Sequence, residues 1–212
     1  MPRSSYHHGN LRQALIDAVI QASGDQGVDA IRVSALARSL GVSSAAPFRH
    51  FADRQELLVA SAEHAADDLM VEVQRAGDER LDPGELELER AVAYVRFAAT
   101  HPGHFALLSR SDLLAASPKL QAMTSGYQAN LEPLFKSGST GQSAPELLAR
   151  SAGVLAAQAM AYGLAHLAVD GLLGDRSPEE IALLAREALR TLGRGGGQGA
   201  AQTRAEPSRG TR

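Results

Sequence analysis

The chain has 212 residues, of which 44% are hydrophobic, 21% are charged and 4% are aromatic, and its net charge at pH 7 is −3. These proportions predict a soluble globular protein of one large or two small domains. The absence of Cys excludes disulfides, thiolate zinc sites and a cysteine nucleophile, and it suits a reducing cytoplasm. No apolar run approaches the roughly 20 residues that span a bilayer, so no membrane partner is expected.

Charge is distributed unevenly along the chain. Residues 1–54 hold six Arg and four Asp, a net +2, and residues 194–212 hold four Arg and one Glu, a net +3. Because the whole chain carries −3, the middle stretch 55–193 carries −8. A basic head on an acidic body fits a small DNA-binding domain joined to a second domain. Residues 194–212 also lack any apolar period, which predicts a disordered tail.

The first predicted helix begins after a polar arm of nine residues. Asn10 is a suitable N-cap, and Gly24 and Gly27 end the helix. Its apolar stripe consists of Leu11, Leu15, Ala18, Val19 and Ala22.

Residues 33–54 predict two short helices joined by a tight turn. The apolar face of the first helix consists of Val33, Leu36, Ala37 and Leu40. Gly41 ends that helix, because glycine enters the left-handed conformation without steric cost. Ser43 or Ser44 can cap the second helix. The spacing is typical of a helix-turn-helix, whose second helix enters the DNA major groove. The same spacing also occurs in helical proteins that have no DNA partner.

Further helices follow, and we see no strand pattern. Asp53 as N-cap and Glu56 at N3 predict the start of a long helix that ends near Ala76. The segment 145–173 is apolar on most faces, which predicts burial on most sides. The remaining helices are predicted over about 85–100, around 105–108, and over about 118–135 and 178–193. The sequence therefore predicts an all-α protein of about nine helices, in which Ala and Leu outnumber aromatic residues.

Residues 10–60 resemble the tetracycline-repressor (TetR) family of bacterial transcription regulators. The resemblance rests on Gly41-Val42-Ser43, Phe48-Arg49-His50-Phe51 and Asp53-Arg54-x-Glu56-Leu57. The rest of the chain is similar to one branch of the family in Tyr94-Val95-Arg96-Phe97 before His101-Pro102 and in Gly163-Leu164-Ala165 before Asp170-Gly171.

The resemblance implies a helix-turn-helix DNA-binding domain over 1–54 and a ligand-binding and dimerisation domain over 55–193, before the tail. It implies a cytoplasmic homodimer, built from the last two helices, that binds a palindromic double-stranded DNA operator. It further implies a repressor that a small-molecule effector releases. The sequence departs from the family at Phe48, usually Tyr, and at Arg32, usually a capping Ser or Thr. It also departs from the branch at Gln158 and Tyr162, often Trp and His.

The resemblance also assigns DNA contacts to individual positions. The expected DNA-binding residues are Ser34, Ser43, Ser44, Ala45, Ala46, Phe48, Arg49, His50 and Arg54. Arg49 can pair with guanine O6 and N7, or it can be a solvated or phosphate-contacting side chain. Arg54 and the helix that it starts suit a phosphate. We expect Phe51 in the core and Phe48 nearer to DNA.

Nine larger or polar side chains on otherwise apolar helices are candidates for a ligand pocket. They are Tyr94, Phe97, His101, Phe105, Met123, Tyr127, Gln158, Tyr162 and His166. The alternative is that they fill the core. Gln158, Tyr162 and His166 are spaced i, i+4 and i+8, and their shared face lines either the pocket or the dimer interface. The expected effector is a small, apolar organic molecule with one or two hydrogen-bonding groups.

Motifs of catalysis are missing from the sequence. There is no HExxH, phosphate loop or G-x-S-x-G, so we expect no enzyme, no cofactor and no metal. Adjacent His7 and His8 are interpreted as arm residues near phosphate. A helical adaptor or small-molecule-binding protein with a vestigial helix-turn-helix is the alternative.

Overall fold

A computed structural model of the protein describes residues 11–77, 80–125 and 144–202, and every regular element within them is helical. The α-helices are α1 (Leu11–Gln26), α2 (Val33–Ser39), α3 (Arg54–Ala76), α4 (Pro83–Thr100), α5 (Pro102–Leu108), α6 (Ser111–Ala116), α7 (118–125), α8 (Ala144–Val169) and α9 (Pro178–Gln202). Short 3₁₀ turns cover Val28–Ala30 and Pro47–Arg49. The predicted all-α class is confirmed.

The helices form two compact units. The N-terminal unit comprises Met1–Val71 and Thr100–Ser125, and the C-terminal unit comprises Glu72–Ala99 and Gly126–Arg212. The N-terminal unit is thus larger than the stretch 1–54 predicted as the DNA-binding domain. It also takes in α5, α6 and α7, because these helices share its core.

That shared core is built from leucines of the later helices. Leu107, Leu113 and Leu120 are each 0% exposed and belong to one apolar cluster with residues of α1, α2 and α3. Burying a leucine side chain stabilises the fold by about 1.5–3 kcal/mol. Residues 102–120 therefore hold the helix-turn-helix together, although they lie far from it in sequence.

Backbone contact between α1 and α5 sets the geometry of this unit. A Cβ placed on Gly103 would overlap the carbonyl oxygen of Ile20, and a Cβ on Gly24 would lie 3.2 Å from the Gly103 nitrogen. Only glycine leaves room for two backbones to approach this closely. Nothing in the local sequence around Gly103 indicates this packing role, because its partner Ile20 lies far away in the chain.

Two helix ends lie where the sequence predicts them, at Gly41 after α2 and at the start of α9. Gly41 has φ of +72°, and the Gly41 and Val42 amides donate to the carbonyls of Arg38 and Ala37, which is a Schellman motif. At the start of α9, Ser177 Oγ accepts from the Glu180 amide while Glu180 accepts from the Ser177 amide. Both predicted helix ends are confirmed.

The C-terminal unit contains α4, α8 and α9. Its small core includes Val95, Ala161, Ile181 and Ala185, with Tyr94 and Leu164 packed against it. Two ion pairs join α9 to α4, at 2.6 Å between Arg186 and Glu89 and at 2.7 Å between Arg190 and Glu85.

Helix α8 differs from two of the sequence expectations. Its stretch Ala152–Val169 is long and apolar enough, by length and composition, to cross a membrane, so the statement that no run approaches that length was wrong. The stretch Ala152–Val169 contains no Asp, Glu, Lys or Arg, but its many Ala and Gly residues make it less obvious as an apolar run than a stretch of larger side chains. Only 11% of this stretch is buried within the chain, although the apolar pattern predicted burial on most sides. Helix α8 contacts α9, and the buried residues of this stretch are Ala161 and Ala165.

The predicted tail also differs in part. Helix α9 continues to Gln202, past the predicted end at residue 193, because extending a formed helix avoids the cost of nucleation. Residues 203–212 lie outside the described part of the chain, as do the arm with Asn10, His7 and His8, the second half of the helix predicted over 118–135, and the following loop.

We predict that Gly103→Ala destabilises the protein by about 1–3 kcal/mol, because the added methyl forces α5 away from α1. Gly153→Ala is the matched control, since nothing lies within 4 Å of a Cβ at that position of α8. Chemical denaturation of both variants measures the difference. Equal stabilities would show that α1 and α5 can separate without cost.

Candidate nucleic-acid interface

The segment after the Gly41 turn departs from the predicted second helix. Residues 43–50, here named the reading segment, form a turn followed by the 3₁₀ element Pro47–Arg49 rather than an α-helix. Pro47 is the physical reason. It has no N–H to donate to the Ser43 carbonyl, and Ala46 donates to that oxygen instead at 3.0 Å. The 3₁₀ element has no side-chain cap, so neither predicted serine cap is formed there.

Side chains of the reading segment divide into anchors and exposed groups. Pro47 is buried, and Phe51, which follows the segment, is 3% exposed with the Arg12 guanidinium 5.2 Å above its ring. Phe48 is 53% exposed. The expectation that Phe51 lies in the core is therefore confirmed, whereas the contact of the exposed Phe48 with DNA stays a prediction.

Most of the expected DNA-contacting side chains are accessible. Ala46 is half-buried, and the exposed residues are Ser34, Ser43, Ser44, Ala45, Phe48, Arg49 and His50. A short, exposed segment held by buried anchors can approach base edges without disturbing the core.

Arg54 makes hydrogen bonds within the chain that the sequence did not predict. It is half-buried, and its Nε donates to the Ile31 carbonyl at 3.1 Å while its Nη2 donates to the Val28 carbonyl at 2.8 Å. The guanidinium thus bridges α3 to the turn that precedes α2. The sequence pattern could not reveal this contact, because its partners are backbone atoms more than 20 residues away.

Carboxylates occupy the start of α3. Asp53 Oδ1 accepts from the Glu56 amide at 2.8 Å, and Glu56 Oε2 accepts from the Ala52 amide. The predicted N-cap is confirmed. These two acids satisfy amides that an incoming phosphate would otherwise use.

A cluster of imidazoles joins α3 and α5 within the N-terminal unit. Asp68 Oδ2 lies 3.2 Å from His104 Nε2 and 3.7 Å from His64 Nε2, and the His101 and His104 rings meet edge to face. Burial, followed by the neighbouring His101, lowers the pKa of His104 below its ordinary value despite the Asp68 carboxylate. His104 is accordingly neutral at pH 7 and acts as a hydrogen-bonding residue of the helix packing.

The ligand-pocket candidates fall in both units. His101, Phe105 and Met123 belong to the N-terminal unit, and Phe105 is a core residue. Those in the C-terminal unit are Tyr94, Phe97, Gln158, Tyr162 and His166, whereas Tyr127 lies outside the described residues.

Two features distinguish the candidates of the C-terminal unit. Gln158 has a buried Oε1 without a hydrogen-bond donor among the described residues. Tyr162 is 48% exposed with its ring 4.4 Å from that of His166. In the part of the chain that the structure covers, no group of three or more His, Asp or Glu is placed to hold a metal ion.

Together, a Gly-terminated α2, an exposed reading segment and a capped α3 define a helix-turn-helix DNA-binding protein. The family profile of bacterial regulatory proteins, tetR family, matches residues 15–61. Over 50 residues, 24% of this chain, the sequence is 42% identical to the HTH-type transcriptional regulator BetI of Rhizobium meliloti. The chain belongs to the tetR family of transcription regulators.

Solved structures match over a longer part of the chain. A protein of unknown function from Rhodococcus is 30% identical, with a TM-score of 0.59 and coverage of 91% of this chain and 98% of that one. The regulator LfrR of Mycobacterium smegmatis, solved with proflavine, is 18% identical, with a TM-score of 0.56 and coverage of 84% and 94%. Of the two curated relatives that it matches, the chain spans 25% of the length of BetI and 54% of the length of the other.

Proposed function

We propose that this protein is a ligand-responsive repressor that binds a palindromic DNA operator as a homodimer in the cytoplasm. The observation that carries the proposal is the reading segment, which is exposed and polar and has buried anchors at Pro47 and Phe51. Apart from the buried Pro47 and the half-buried Ala46, the side chains of this segment are exposed among the residues that the structure describes. Its hydroxyl groups and Arg49 suit contacts with DNA.

Arg49 is the side chain that we propose for base readout. It lies at the end of the 3₁₀ element and is exposed. Its guanidinium can donate two hydrogen bonds to one guanine. Ser34, Ser43, Ser44 and His50 supply shorter polar groups, the methyl groups of Ala45 and Ala46 suit thymine methyls, and Phe48 offers an apolar face.

The dimer proposal rests on apolar side chains that the single chain leaves uncovered. On α8 and α9 and between them, the exposed aliphatic residues are Val154, Leu155, Leu167, Leu172, Leu183 and Leu184. Leu172 and Leu183 are 70% and 64% exposed. An uncovered apolar surface of this kind marks an interface, and a second copy of the chain is the partner that we propose. Such an interface also accounts for the apolar stretch of α8 without a membrane.

The effector proposal rests on the C-terminal unit. Gln158 offers a buried carbonyl acceptor among small apolar residues of α8, and Tyr162 and His166 follow on the same face. A few polar groups within apolar walls suit a small organic molecule that donates a hydrogen bond. The structural neighbour LfrR was solved with proflavine, which supports a ligand of this general size. The proposal needs neither catalysis nor a cofactor.

We predict that DNA affinity falls steeply as salt concentration rises, because Lys and Arg release counterions from phosphates.

The Arg49→Ala variant should lose about 1–3 kcal/mol of binding free energy on a duplex selected from a random library, and it should relax the preference at one base position. Fluorescence anisotropy across salt concentrations measures both effects. Arg75→Ala, which removes an exposed Arg of the C-terminal unit, serves as the control. A flat, weak salt response by the unmodified protein would favour the adaptor alternative.

We predict that Leu183→Asp converts the dimer into monomers at micromolar concentration, because a charge in an apolar interface is desolvated without a partner. Met70→Asp changes an apolar side chain that is also exposed, at 42%, but belongs to the N-terminal unit, and it should leave the dimer intact. Sedimentation velocity distinguishes the two states. An unmodified protein that sediments as a monomer would contradict the proposed assembly.

We predict that a ligand found by thermal shift also weakens binding to the selected duplex, since an effector acts through its different affinities for two states. The screen should begin with small organic molecules that include proflavine. Gln158→Leu should reduce the thermal shift produced by a hydrogen-bond-donating hit, while Thr191→Ala, an exposed change on α9, should not. Hits that stabilise the protein but leave DNA bound would contradict induction.

A further inference from the structure

We infer that Arg54 is a positioning residue that sets the geometry of the reading segment and does not contact the DNA backbone. This inference rests on the proposed DNA-binding function. It assigns to Arg54 a role in choosing between DNA sequences, although the side chain is directed toward the protein's own backbone.

The contacts of Arg54 close a ring around the helix-turn-helix. Its Nε and Nη2 donate to the carbonyls of Ile31 and Val28 at 3.1 and 2.8 Å. The chain between these partners contains all of α2 and the reading segment. The Arg54 side chain therefore joins the turn that precedes the helix-turn-helix to the start of α3, the helix that follows it.

The turn that Arg54 holds is fixed by other arginines as well. Arg32 Nη1 donates to the Asp29 carbonyl at 2.9 Å, and Arg110 forms an ion pair with the Asp29 carboxylate at 2.7 Å. Arg110 follows α5, so the turn is attached to the later helices of the same unit. Burial of Val28 and Ile31 in the apolar core fixes the position of the turn, and Arg54 transfers that position to α3.

The chemistry of the two acceptors requires Arg. A planar guanidinium presents N–H groups in a fixed fork and can reach two carbonyls at once, whereas a lysine ammonium is a single flexible point charge. Arg54 is also half-buried, so its hydrogen bonds compete less with water than those of a surface side chain.

The surroundings of Arg54 do not favour a phosphate. Asp53 and Glu56 occupy amides at the start of α3 with their own carboxylates. Two acids at this helix end repel an anion, so the usual reason to place a phosphate there is weakened. The exposed Arg49 is the better candidate for direct contact.

The test is the charge-conserving variant Arg54→Lys. If Arg54 positions the reading segment, the variant should lose about tenfold in affinity for the duplex selected by the unmodified protein, the order of one charge-assisted hydrogen bond. Affinity for a scrambled duplex and the salt slope should stay unchanged, because no phosphate contact is lost. Amide hydrogen exchange without DNA should rise in residues 28–50 while α1 stays protected, which general destabilisation would not produce.

Arg38→Lys is the matched control, since it makes the same substitution at an exposed position of α2. It should keep both the selectivity and the exchange pattern. If Arg54→Lys binds both duplexes as Arg38→Lys does, the inference is overturned. An Arg54→Gln variant that weakens both duplexes equally and lowers the salt slope by about one unit per half-site would also overturn it, in favour of a phosphate contact. If the unmodified protein selects no duplex, the proposed function fails before this question arises.

Discussion

The N-terminal unit depends on the backbone contact between α1 and α5. Gly103 lies against the Ile20 carbonyl and Gly24, at a distance that admits no Cβ. Once α5 is fixed there, Leu107, Leu113 and Leu120 are brought into the core of the helix-turn-helix. The polar contacts of Ser117 with Glu63 and of Lys119 with Asp67 then join the same segment to α3. Because exposed ion pairs contribute little, the apolar burial stabilises this arrangement and the ion pairs only refine it.

This packing joins the later helices to the helices that carry the reading segment. The chain passes between the two units at α3 and again between α4 and α5. Residues 100–125 are part of the N-terminal unit and share its core. A displacement of α5 relative to α1 would therefore change the packing of the helices that carry the reading segment. The tight glycine contact opposes gradual sliding of α5 along α1.

The reading segment shows how one residue can override a pattern. Glycine, serine and alanine around the turn favoured an ordinary second helix, yet Pro47 removes the N–H that its first α-helical hydrogen bond would need. The resulting 3₁₀ geometry turns Pro47 inward and leaves Phe48 and Arg49 exposed. A proline four residues after a potential N-cap was a local signal available in the sequence, and it was overlooked.

Local features were determined by the sequence alone, because they depend on neighbouring residues. The helical class, the Gly41 helix end, the Asp53 and Ser177 caps and the burial of Phe51 all follow from spacing, capping chemistry and the conformational freedom of glycine. Features that depend on contacts between distant parts of the chain were determined only by the tertiary structure. The membership of α5 to α7 in the N-terminal unit, the uncovered faces of α8 and the hydrogen bonds of Arg54 to the Val28 and Ile31 carbonyls depend on parts of the chain that are distant in sequence. A backbone carbonyl is present at every residue, so no pattern of side chains can reveal which one an arginine will bind.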